Sequence, residues 1–176
     1  MGAGEASGYR LRDATEADLA QLPAVEQSAA GWFRDVDNGY RGEDATLPLA
    51  ILDLCRAAGT LWIAADREDA PVGFLAATEF DSSLFVLETS VAREHQRKGL
   101  GRALLEKAID HARWAYLPAV SLTTDREIPW NGPFYARLGF VTLDSDRASP
   151  GLRARREAEI VAGHDPARRC IMAKLL

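Results

Sequence analysis

The chain has 176 residues, 47% hydrophobic and 27% charged, which suits a single globular domain with a real core. Its net charge of −5 is the wrong sign for a broad nucleic-acid surface. No apolar run approaches the roughly 20 residues of a membrane helix, and no basic-then-apolar leader opens the chain, so neither membrane partner nor signal peptide is expected.

Tyr9-Arg10-Leu11-Arg12 alternates as a first strand. Thr15 then precedes Asp18 by three positions, a helix-start pattern, and Leu19, Leu22, Val25 and Glu26 follow at helical spacing. Residues 31–42 form a loop carrying Trp32 and Phe33. A second helix is predicted over 47–58, closed by Gly59. Three strands follow in succession, 61–65, 72–77 and 84–91, with polar turns between them. A long helix comes next, with Gly101, Leu104, Leu105, Ala108, Ile109, Ala112 and Tyr116 on one stripe. The remainder reads as a strand at 119–124, a short helix at 134–138 capped by Gly139, and a strand at 140–143. A charged excursion, helical over 153–162, precedes a last strand at 169–174. Strands clustered first and then alternating with helices predict an α/β protein with a mixed sheet and helices on both faces. We expect one domain over 1–176, its core over about 9–174.

Cys55 and Cys170 lack any CxxC or Cys/His spacing, and are expected to be reduced and buried in a cytoplasmic protein. The three histidines are scattered, so no metal site is expected.

The basic residues are concentrated where the third strand hands over to the long helix. Arg93, His95, Arg97, Lys98 and Arg102 crowd around Gly99 and Gly101. Glycine lets backbone N–H groups approach a ligand closely, and the first-turn amides of a helix lack helical partners. Together they make an anion site of the pyrophosphate type. The pattern is neither GxGxxG, since position 104 is Leu104, nor a P-loop, since no G-K-[ST] occurs.

The run Gln96-Arg97-Lys98-Gly99-Leu100-Gly101 resembles the Q/R-x-x-G-x-G/A signature of the GNAT N-acetyltransferase superfamily. Phe134-Tyr135-Ala136-Arg137-Leu138-Gly139-Phe140 is similar to that family's F-Y-x-x-L-G-F box, and the order of elements over 9–174 also resembles its fold. The resemblance implies a sheet of about seven strands, whose splayed central strands form a coenzyme A cleft. It implies acetyl-CoA as co-substrate, with its pyrophosphate on Gln96, Arg97, Lys98, Gly99, Leu100, Gly101 and Arg102. Main-chain groups of Ser90 and Val91 would hold the pantetheine arm, a bulge there would aim an N–H at the thioester oxygen, and Asn131 would lie near the cofactor. Here only four positions separate Asn131 from Tyr135, a tighter spacing than usual in the family, and Arg93 stands where many members carry proline.

An amine of pKa near 10.4 is almost wholly protonated at pH 7, so attack on a thioester calls for a base. Glu88 is the candidate, and Tyr135 holds the family's place for the acid that protonates the leaving thiolate. Trp32, Phe33 and Trp130 are candidate walls of the acceptor pocket, with Asp35, Asp37 or Asp125 to hold a cation. The expected reaction is direct acetyl transfer to a small-molecule amine by a monomer or homodimer. Acetylation of a protein N-terminus or lysine, and a non-catalytic acyl-CoA sensor, remain as alternatives.

Overall fold

A computed structural model describes residues 8–31 and 46–176. Among these, seven strands are found: β1 (Arg10–Asp13), β2 (Leu61–Ala65), β3 (Pro71–Phe80), β4 (Ser83–Val91), β5 (Ala119–Asp125), β6 (Val141–Leu143) and β7 (Arg169–Leu175). They form one sheet in the order β1-β2-β3-β4-β5-β7-β6. The α-helices of the described residues are α1 (Leu22–Ala30), α2 (Leu49–Ala57), α3 (Leu100–Trp114), α4 (Gly132–Arg137) and α5 (Pro150–Val161). The sheet is mixed. β4 and β5 pair in parallel, whereas β1/β2, β2/β3, β5/β7 and β6/β7 pair antiparallel. A parallel pair needs a crossover, and α3 supplies it. The link from β3 to β4 is tight, with Asp81 (φ 51) and Ser82 (φ 62) both left-handed, as two-residue hairpins require.

The described residues fall into two compact units. In the first (8–31, 46–78 and 86–111), Leu61, Ile63 and Ala65 of β2 and Phe74 and Ala76 of β3 pack against Leu22 and Val25 of α1 and Leu52 and Cys55 of α2. The alternate residue Trp62 meets His111 of α3 edge-on, 5.2 Å between ring centroids. Helices therefore cover β2 on both faces, so all five of its residues are buried instead of alternating. The predicted stripe of α3 is buried at Leu104, Leu105, Ala108, Ile109 and Ala112. Tyr116 does not belong to it. The helix stops at Trp114, Tyr116 turns left-handed at φ 57, and its side chain is 95% exposed.

The Thr15/Asp18 start is present, but it opens a 3-10 turn, Glu16–Gln21, with α1 beginning at Leu22 and Pro23 in its first turn. Asp18 accepts from Thr15 N (2.7 Å) and bidentately from Arg12 (2.7 and 2.8 Å), locking β1 to that turn. Burial pushes the Asp18 carboxyl up, but the Arg12 fork and the Thr15 donors outweigh it and hold it below the usual range.

The second unit (79–85 and 112–176) is built on β7, paired with β5 over seven positions and with β6 over three. The β4/β5 ladder consists of Leu84↔Val120 and Phe85↔Ser121. α5 starts at Pro150, earlier than predicted, because the Ser149 hydroxyl accepts from Leu152 N at 3.3 Å. No described helix is long and apolar enough to cross a membrane.

Candidate functional site

In the first unit, β4 delivers the chain into a 3-10 turn, Arg93–His95, and then into the glycine turn. Gln96 closes that turn, its side-chain Nε2 donating to Val91 O at 2.8 Å. Arg97 (φ 62) and Gly99 (φ 82) are both left-handed. At Gly99 this backbone, not crowding, calls for glycine: a Cβ there would meet nothing within 4 Å, so the amide face lies open. Ala103 N is bonded to Gly99 O at 3.0 Å, opening the α3 ladder. The amides of Leu100, Gly101 and Arg102 precede it, at the positive end of a 15-residue helix.

The predicted cations differ in their commitments. Arg102 Nε is paired with Glu106 Oε1 at 2.7 Å along the helix. Lys98 Nζ donates to Tyr9 Oη (2.9 Å) and to Glu94 O (3.2 Å). The open main chain of the turn, framed by these side chains, is what could receive an anion.

Upstream on β4, Ser90 is buried, and its hydroxyl donates to Glu88 Oε1 at 2.7 Å, fixing that carboxylate. The intervening Thr89 has its Oγ1 buried with no hydrogen-bond partner. A buried hydroxyl left this way asks for a polar ligand. Together with the open left-handed turn and the α3 amides, it fits a long chain of amides ending in a pyrophosphate.

Glu26 is the residue sequence reading missed. Its carboxylate, on α1, accepts from Leu47 N at 3.0 Å. Burial and the neighbouring charge of Glu88 push it up to about 7, partly offset by the Leu47 amide. The signal was present in the sequence: a carboxylate at helical spacing with Leu19, Leu22 and Val25, where an apolar residue would be expected.

In the second unit, Asn131 sits at the N-cap of α4 and its carbonyl accepts from Tyr135 N at 3.0 Å. The Tyr135 ring lies edge-on to Phe134 (5.2 Å) and Phe140 (5.7 Å), half-buried. Gly132 is required by close approach, since a Cβ would fall 2.8 Å from Arg126 Cα. Trp130 is 39% exposed beside them. Asp125 Oδ1 accepts from Glu127 N (2.8 Å) and its Oδ2 is paired with Arg168 Nε (3.0 Å). Trp32, Phe33, Asp35 and Asp37 lie outside the described residues.

Cys55 and Cys170 are free and buried, and burial pushes both thiols up, away from the thiolate a nucleophile would need. A shallow pocket of about 260 Å³ between α4, β6 and β7 is lined by Arg126, Pro133 and Cys170 among others, and by none of the residues named above for catalysis.

Residues 57–142 match the family described as acetyltransferase (GNAT) domain. Among solved structures, a GNAT-family acetyltransferase from Staphylococcus aureus Mu50 is 13% identical, with a TM-score of 0.71 over 96% of this chain and 99% of the other. The PaiA N-acetyltransferase of Thermoplasma acidophilum, in complex with coenzyme A, is 16% identical with a TM-score of 0.70, over 96% and 99%. N-acetylglutamate synthase of Neisseria gonorrhoeae, complexed with coenzyme A and N-acetyl-glutamate, is 19% identical with a TM-score of 0.68, over 96% of this chain but 35% of that one. At such identities these structures share the fold with the chain.

Proposed function

We propose that this chain, which through residues 57–142 belongs to the GNAT acetyltransferases that act with acetyl-CoA, transfers the acetyl group to the primary amine of a small molecule. Transfer is direct, in a ternary complex within one catalytic domain.

The coenzyme's pyrophosphate lies on the amides of residues 96–102, with the charges of Arg97, Lys98 and Arg102 around it. Its pantetheine arm runs along Ser90 and Val91. Glu88 takes a proton from the incoming ammonium, and the neutral nitrogen attacks the thioester carbon. A main-chain N–H near Val91 meets the oxyanion. The C–S bond then breaks, the thiolate takes the proton of Tyr135, and the nitrogen releases its second proton as the amide forms.

The observation that carries this reading is the fixed Glu88 carboxylate with Glu26 beside it. Two carboxyl groups favour a cation. A proton acceptor matters most for an alkylamine near pKa 10.4, and least for a peptide N-terminus near 8, already partly neutral. Release of free thiol from acetyl-CoA, followed with alkyl diamines, aminosugars and unblocked peptides, tests it. Small amines should be turned over with kcat/KM at least about tenfold above peptides. Faster turnover of peptides would move the acceptor to protein N-termini or lysine side chains, and tight coenzyme binding without any turnover would leave a sensor.

A further inference from the structure

Resting on the reading of residues 96–102 as the coenzyme's turn, we propose that Tyr9, together with His95, is a positioning residue that holds the Lys98 ammonium in place for a phosphate oxygen of the coenzyme.

Three side chains from separate stretches meet here. Tyr9 immediately precedes β1, His95 ends the 3-10 turn after β4, and Lys98 lies within the glycine turn. Tyr9 Oη is 2.8 Å from His95 Nδ1, and Lys98 Nζ is 2.9 Å from the same oxygen. An ammonium can only donate, so Tyr9 Oη accepts from Lys98, while its bond with His95 Nδ1 takes its direction from the His95 tautomer. The Tyr9 and His95 rings also stand edge-on at 5.6 Å and 89°.

An ammonium has three N–H donors. Tyr9 Oη and Glu94 O take two, the latter at 3.2 Å. One remains among the described residues, on a side chain already fixed beside an open anion turn. A free lysine loses several rotatable bonds' worth of freedom on meeting a phosphate, and Lys98 has given up that freedom before the ligand arrives. The neighbouring backbone gains as well. Arg97 is a non-glycine residue in the left-handed region, and the tethers to Tyr9 and Glu94 flank it. The first residues before β1 thereby become part of the coenzyme site, without touching the coenzyme.

A double-mutant cycle on the full chain separates this role from simple packing. Coenzyme A affinity is measured by calorimetry for the wild type, Tyr9→Phe, Lys98→Met and the double variant. Phenylalanine keeps the ring and removes both hydrogen bonds. Each single variant should weaken binding about tenfold, and the double variant should be no weaker than Lys98→Met alone. The salt dependence of Kd should flatten in Lys98→Met. Melting temperatures within about 2 °C of wild type would show that the fold is kept. Unchanged affinity in Tyr9→Phe, or losses that multiply in the double variant, would overturn the proposal while leaving the turn's assignment standing. Absence of coenzyme binding by the wild type would instead remove the reading on which it rests.

Discussion

Tyr135→Phe should lower kcat by about 10²- to 10³-fold while changing the Kd of acetyl-CoA by less than about threefold. The ring is held by Phe134 and Phe140 at 5.2 and 5.7 Å, and the backbone of α4 by Asn131 O, so phenylalanine preserves every contact except the hydroxyl. Removing a general acid typically costs 10²–10⁴ in rate. The substitution therefore isolates protonation of the leaving thiolate from packing. Rate profiles should show the loss shrinking above the thiol's ordinary pKa near 8.5, where the departing thiolate no longer needs a proton. Equal losses in turnover and affinity, or none, would remove Tyr135 from the acid role.

Gly101→Leu should weaken coenzyme A binding by at least about 100-fold with the fold intact. On the proposed placement of the pyrophosphate, a side chain added in the first turn of α3 takes away access to its amides. Calorimetry measures the affinity and a thermal melt checks the fold. Binding within tenfold of wild type would place the pyrophosphate elsewhere.

Much of the architecture was legible because it rests on local pattern. The stripe of α3 carries a 3.6-residue period, and β2, β3 and β4 are bounded by residues that turn, such as Asp81 and Ser82. The glycine turn was legible because left-handed backbone and open amides leave a mark in composition, most plainly at Gly99. Other features depend on contacts that sequence spacing does not encode. Periodicity cannot see that Tyr116 follows the last turn of α3, nor that β2 is covered on both faces. Arg102 looked like a phosphate ligand, yet it has Glu106 one helical turn away. The meeting of Tyr9 with Lys98 spans 89 positions, and the Glu26 carboxyl is pushed up by burial and then by Glu88 on another element. The acceptor side is the least legible, since aromatic residues in a loop look the same whether they pack or bind.

The central claim, that residues 96–102 cradle an acyl-coenzyme A rather than another pyrophosphate compound, is tested most directly by a thermal-shift series with acetyl-CoA, coenzyme A, NAD and ATP. At a hundredfold excess over Kd, linkage gives about 2.7 kcal/mol, or roughly 5–10 °C for a chain of this size. Acetyl-CoA and coenzyme A should produce that shift, and NAD and ATP should leave the melting temperature unchanged. A shift with NAD or ATP of the same size, or none with acetyl-CoA, would contradict it.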